Sequence, residues 1–164
     1  MVDFKKAIET DIPLLRELAQ KSWKSAYANI LSPEQIDYML AEMYSEKEIS
    51  SQLQNSDYHY YLILSNEIPA GFMGFELNYE KDTTKLHRIY LLEEFKGKGL
   101  GKKGLIFLKE KVKENVNHRI ILNVNKNNPA IKIYESQGFK VFSEGIFDIG
   151  NDYVMDDFLM EFNF

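Results

Sequence analysis

The period of the apolar positions changes several times along the chain, and each change marks a new element. Val2 to Ile8 alternates apolar and polar residues as a strand does. Thr10-Asp11-Ile12-Pro13 then supplies a helix N-cap with proline tolerated in the first turn. Leu15, Ala19, Trp23 and Tyr27 recur every four residues, the spacing of one helix face. Ser32-Pro33-Glu34-Gln35 is a capping box with Ile36, Met39, Leu40 and Met43 as its apolar stripe, and a second box from Ser45 to Glu48 restarts the helix. Tyr58 to Leu64 is aromatic and β-branched, Ser65-Asn66-Glu67 turns, and Ile68 to Tyr79 runs back as the second arm of a hairpin. Gly71 and Gly74 are its candidate bulges. Thr84 to Leu92 is the next strand.

Glu93 to Lys98 is a short loop, after which a helix from Gly99 places Gly101, Leu105, Leu108, Val112 and Val116 on one face. Arg119 to Val124 has the continuous apolar character of a buried strand, so strand, helix and strand form a right-handed parallel crossover. Asn128-Pro129 opens another helix that ends at Gly138, a residue suited to a left-handed C-terminal turn. Phe139 to Ile149 and Tyr153 to Phe162 are two final strands, joined by a turn over Ile149-Gly150-Asn151-Asp152. The order β-α-α-β-β-β-α-β-α-β-β predicts an α/β (α+β) architecture of one domain over residues 1–164. Its seven-stranded mixed sheet is mostly antiparallel, parallel only at the central crossover, with helices on both faces.

Composition narrows the chemistry. A chain of 164 residues with 45% hydrophobic and 27% charged residues can bury a core. It contains no cysteine, which excludes disulfides, a thiolate nucleophile and a Cys-ligated zinc, and no metal cofactor is expected. No signal-peptide run follows Met1, and no stretch approaches the roughly 20 apolar residues of a membrane span. The expectation is a cytoplasmic protein without a membrane partner. A net charge of −5 disfavours a nucleic-acid backbone and attracts cations, polyamines among them.

Lys96-Gly97-Lys98-Gly99-Leu100-Gly101-Lys102-Lys103-Gly104 lies between a strand and a helix, where free N–H groups and the helix dipole favour an anion. The plainer alternative is a glycine-rich connection with solvated lysines. No Gly-x-x-x-x-Gly-Lys-Ser/Thr can be drawn, which excludes a P-loop. Gly99-Leu100-Gly101-Lys102-Lys103-Gly104 matches the dinucleotide fingerprint, but Leu92 lies far from Gly99, and Val124-Asn125-Lys126-Asn127 offers no ribose-binding acid.

A third pattern fits: a basic residue, then x-x-Gly-x-Gly, as Lys96 to Gly101. With Tyr90-Leu91-Leu92 before it and Asn127-Asn128-Pro129-Ala130-Ile131-Lys132-Ile133-Tyr134-Glu135-Ser136-Gln137-Gly138-Phe139 after it, the chain resembles the GNAT superfamily of N-acetyltransferases over essentially its whole length. The family usually has Arg or Gln where this chain has Lys96. The resemblance implies acetyl-CoA as cosubstrate, a primary amine as acceptor and direct attack without an acyl-enzyme. Loop amides from Lys98 to Lys102, including Gly99, Leu100 and Gly101, would take the pyrophosphate, with Lys96 and Gly97 shaping the loop. The pantetheine arm would lie along Tyr90-Leu91-Leu92, in a splay between this strand and the one at Ile120 to Val124. A backbone N–H near Leu91 or Leu92 would polarise the thioester carbonyl, and such a donor is worth about 3 kcal/mol.

Tyr134 is then the candidate proton donor to the departing thiolate, with Asn127 and Ala130 on the same helix face; its other reading is a core tyrosine. An acceptor amine arrives protonated, so a base or water chain is needed. Strand alternation places Lys85, His87, Ile89 and Leu91 on one face, which makes His87 a candidate base, with Glu76 competing and an ordinary polar role open for His87. The ending Phe147 to Tyr153 with Asp156-Asp157 is similar to bacterial spermidine/spermine acetyltransferases, and a carboxylate rim suits a polycation; a solvated strand edge is the alternative. That group tends to carry Glu-x-Glu-Arg-Ile-Tyr where this chain has Lys85-Leu86-His87-Arg88-Ile89-Tyr90. A protein N-terminus or lysine, another small amine, or a non-catalytic acyl-CoA-binding role stay open, and related enzymes are often homodimers.

Overall fold

A computed structural model describes residues 1–164. The elements are β1 (Val2–Lys6), α1 (Ile12–Ala26), α2 (Pro33–Met43), α3 (Glu46–Gln54), β2 (Tyr58–Ser65), β3 (Ile68–Glu80), β4 (Thr83–Leu91), α4 (Leu100–Glu114), β5 (Arg119–Asn125), α5 (Ile131–Ser136), β6 (Lys140–Gly150) and β7 (Tyr153–Asn163). The strand order is the expected one, but three helices rather than two precede β2, because the restart at Ser45 makes α3 a separate helix, and 3-10 turns are added at Glu9–Asp11 and Glu93–Phe95. The seven strands form one sheet in the order β1-β2-β3-β4-β5-β7-β6. Every neighbouring pair is antiparallel except β4 with β5.

Local chemistry accounts for most boundaries. The Ser32 hydroxyl accepts from the Gln35 N–H and the Ser45 hydroxyl from the Glu48 N–H, each at 3.1 Å, so both serine caps form. The first strand stops earlier than its alternation suggests, at Lys6. Thr10 does not cap α1: the chain makes a 3-10 turn first, and Asp11 turns its carboxylate back to the Ile8 N–H at 2.9 Å. The helix expected to reach Val116 ends at Glu114. Val116 takes φ +60 and is 68% exposed, while the Asn117 N–H closes on the Val112 carbonyl at 3.1 Å. A β-branched residue is strained there. What holds it is buried Asn117, whose carboxamide oxygen accepts from the Thr84 hydroxyl at 2.7 Å and whose amide donates to Asn78 at 2.9 Å.

The helices cover both faces of the sheet. On one face α1 to α3 pack Leu15, Trp23 and Ile49 against Tyr60 and Phe72. On the other, Leu105, Leu108 and Val112 of α4 meet Ile63, Met73, Leu122 and Met160. Each such side chain contributes roughly 1.5–3 kcal/mol by leaving water.

Two irregularities shape the middle of the sheet. β4 and β5 pair only from Thr83–Arg119 to Leu86–Leu122, then diverge. Between β3 and β4 the register jumps from Gly74–Arg88 to Phe75–Leu86, so His87 is an extra residue on β4. A second shift, near Gly71, sets Ala70 as the extra residue on β3. Neither Gly71 nor Gly74 is itself the extra residue: both glycines are paired, Gly71 beside the bulge at Ala70 and Gly74 opposite the strand that bulges at His87.

Candidate active site

The divergence of β4 from β5 opens a cleft of about 580 Å³, lined from both strands and closed by the start of α4, by α5 and by Tyr27 of α1. Its first end is backbone. Gly97 and Gly99 take φ +77 and +78, a conformation costly for other residues, and they turn the chain into α4. No side chain caps α4, and the first N–H bonded back is that of Lys103, to the Gly99 carbonyl at 3.1 Å. The N–H groups of Leu100, Gly101 and Lys102 are left without intrahelical acceptors. Gly101 differs from the two loop glycines: its φ is not positive, and a Cβ there would meet nothing nearer than Ile133 at 3.8 Å. Nothing in the fold requires glycine at 101, so the space beside its N–H is room for a ligand.

Along the β4 wall, the Leu92 N–H donates to the Ala70 carbonyl at 2.8 Å. Successive N–H groups of a strand point to opposite edges, so the Leu91 N–H faces the side that β5 has left. Of the two donors expected there, Leu91 has the free one and Leu92 does not.

Across the gap, Tyr134 is 8% exposed and lines the cleft, and its hydroxyl has no hydrogen-bond partner in the protein. Burial, and after it the neighbouring Tyr27, holds the phenol well above its ordinary range, so it is protonated at neutral pH. Its position is fixed from behind. Gly138 at φ +88 ends α5 with the Phe139 N–H on the Tyr134 carbonyl at 3.0 Å, and the Phe139 ring packs against Tyr134.

The α1 side of the cleft is built from side chains. The Tyr27 and Tyr90 hydroxyls meet at 2.9 Å, so Tyr90 offers the cleft its backbone while its ring packs on α1. Arg88 is buried without an acidic partner, donating to the Tyr60 hydroxyl at 2.6 Å and lying 4.2 Å above the Tyr44 ring. His87 stacks on Tyr58 and shares a 3.0 Å hydrogen bond with Glu76. Burial, opposed by the bond to Glu76, lowers the imidazole to about 4, so it is neutral at pH 7.

The bulge changes which face His87 occupies. Simple alternation groups it with Ile89 and Leu91, but those two pack toward α4, whereas His87 lies with Arg88 against the Tyr58–Tyr60 side. Two adjacent bulge residues share a side, and the pattern inverts.

Of the other predicted residues, Lys96, Gly97, Gly99, Leu100, Gly101, Lys102, Leu91 and Ala130 line the cleft. Lys96 is also paired with Glu93 at 3.1 Å. Leu92, Lys98, Asn127 and Glu76 are not on its wall; Leu92 packs toward α1, and Lys98 lies over Phe95. Asn127 was grouped with Tyr134 by helical spacing, but α5 begins only at Ile131. Asn127 is exposed and gives its N–H to Asn125, while Asn128 lines the cleft and holds the Ala130 N–H at 2.9 Å. Asn123 also lines the cleft and was missed. Its signal was present: it is the one polar residue inside the apolar run Ile120-Ile121-Leu122-Asn123-Val124.

Asp156 and Asp157 do not form a common rim. Asp156 is exposed and pairs with Lys126 at 3.1 Å, whereas Asp157 is buried. No group of three or more His, Cys, Asp or Glu is placed to hold a metal, and no helix is long and apolar enough to cross a membrane.

A sheet parted at its only parallel pair, with free helix-start amides at one end of the gap and an unpartnered phenol beside it, defines an α/β protein whose cleft suits an elongated anionic ligand. Residues 15–139 match the model of the acetyltransferase (GNAT) family, and the chain belongs to that family. It is an acetyl-CoA-dependent N-acetyltransferase. It is 28% identical over 158 residues to a spermidine N(1)-acetyltransferase of Thermoplasma acidophilum, covering 94% of this chain and 96% of that protein. The PaiA N-acetyltransferase of T. acidophilum, solved with coenzyme A, superposes with a TM-score of 0.85 at 26% identity, over 100% of this chain and 99% of that one. The Escherichia coli ribosomal-protein-S18-alanine N-acetyltransferase shares the fold at TM-score 0.75 and 21% identity, over 99% and 94% of the two chains.

Proposed function

We propose that the enzyme acetylates a small primary amine, with polyamines such as spermidine the leading class, by direct attack of the amine nitrogen on the thioester of acetyl-CoA. The observation that carries this reading is the pairing, across one gap, of a strand N–H without a strand opposite and a phenol without a partner. The spermidine acetyltransferase relative and the net charge of −5 support the acceptor class.

In this reading the amides of Leu100, Gly101 and Lys102 hold the pyrophosphate, with the Lys102 and Lys96 side chains adding positive charge. The Leu91 N–H donates to the thioester oxygen as negative charge develops there. The attacking nitrogen loses a proton through water toward the acceptor face. Tyr134 then donates its phenolic proton to the departing sulfur; its raised pKa keeps that proton available. No nucleophilic side chain is needed, since the chain has no cysteine and the nitrogen itself forms the new bond. His87, tied to Glu76 and neutral, positions and polarises the acceptor face without carrying a charge at pH 7.

A panel of amines, with release of free CoA thiol as readout, tests the proposal. Spermidine turnover above that of single-charge amines is the expected result. Release of thiol with none of the amines would overturn it, and preference for a peptide N-terminus would reassign the acceptor.

A further inference from the structure

Asp157 is a buried carboxylate next to the cleft but not on its wall. It lies opposite Asn125, at the last residue pair between β5 and β7, and opposite Gly145 of β6. It is 7% exposed, and its Oδ1 is buried with no hydrogen-bond partner. Its neighbours on three other elements are Tyr27 of α1, Asn123 of β5 and Lys85 of β4, with Asp156 next in the chain. Tyr27 and Asn123 are cleft-wall residues. Burial raises its carboxyl above the ordinary range, with Asn123 and Lys85 pulling the other way.

A buried carboxylate oxygen without a partner costs folding stability even where Asn123 bonds the group from one side, and removing the charge should make the free protein no less stable. A carboxylate that bonds its own backbone, as Asp11 does, or pairs with a lysine, as Asp156 does, has a structural account. Asp157 has neither. The group that would satisfy it must bring both a donor and positive charge, and an ammonium brings both.

We infer that Asp157 is a specificity-determining residue that holds an ammonium group of the acceptor at the α1 side of the cleft. The inference rests on the amine-acetyltransferase reading for its ligand class. It goes beyond that reading in naming the group that selects a cation over a neutral acceptor.

The test is Asp157→Asn, which keeps the shape and removes the charge. Spermidine is titrated by calorimetry into wild type and variant, both saturated with CoA, and the two melting temperatures are compared. Spermidine binding should weaken at least about 10-fold in the variant, CoA affinity should be unchanged, and the melting temperature should not fall. Equal spermidine affinity in the two proteins overturns the inference, as does failure of wild type to bind spermidine. A lower melting temperature with unchanged affinity makes Asp157 structural and also overturns it. The amine panel fails separately: if wild type releases no thiol with any amine, the reaction is misassigned, while calorimetry still decides whether Asp157 holds a cation.

Discussion

The two ends of the cleft are made of different material. At the α4 end the wall carries free backbone amides from one continuous stretch, positioned by Gly97 and Gly99. At the α1 end the wall is made of side chains from α1, β4 and β5, namely Tyr27, His87, Arg88 and Asn123, with Glu76 of β3 and Asp157 of β7 behind them. A backbone site imposes its demands on neighbouring residues, so it leaves a local pattern. A side-chain site imposes them on positions that only the folded topology brings together, so its pattern is scattered.

The sharpest break of this contrast is at Gly101. Gly101→Asp puts a carboxylate beside the free amides, and CoA affinity should fall at least about 100-fold by calorimetry with the fold retained. Gly101→Ala is the finer version. The protein has room for the methyl, so the melting temperature should hold or rise while CoA binding weakens. Unchanged CoA binding in both variants would place the anion elsewhere.

In the proposed mechanism Tyr134 acts between the two ends. Tyr134→Phe should lower kcat by roughly 10- to 1,000-fold with the KM for acetyl-CoA close to wild type. A full rate would make its hydroxyl a bystander.

His87 tests the acceptor end by pH. With its folded value near 4, below about 6.5 for an unfolded histidine, the unfolded chain binds more protons between those limits. The stability that neutral His87 contributes is complete above about pH 6.5 and is lost as the pH falls toward 4. In His87→Ala the melting temperature should therefore decline less over that window. The kcat/KM profile between about pH 6 and 8 should keep its shape, because His87 does not titrate there. An acid limb that disappears in the variant would restore His87 as the base.

The smallest effect lies outside the cleft. Val116→Gly relieves a left-handed β-branched residue and should stabilise by about 0.5–1 kcal/mol. That corresponds to roughly 2–4 °C in thermal melts, with kinetics untouched.

These contrasts also explain what could be read from the chain alone. The strand order, the two serine caps and the crossover were legible because each follows from local period or cap chemistry. The face of His87 was not, because one extra residue on β4 inverts an alternation and no residue type announces it. Asn127 and Asn128 could not be separated before the start of α5 was known. For Asp156 and Asp157, alternation says only that neighbours point opposite ways; which one is turned inward depends on β7 pairing with β5.

The short pairing of β4 with β5 has a mechanical consequence. Four residue pairs join a leaf made of β1 to β4 to a leaf made of β5, β7 and β6, and the buried Thr84–Asn117 contact lies at the joined end. α4 packs across both leaves on one face, and an elongated ligand seated in the open part would touch both and tie them together. Deuterium uptake at amides flanking the opening, Ile89 and Leu91 on one side and Asn123 to Asn125 on the other, should slow when CoA is added, while the far edges at β1 and β6 keep their pace.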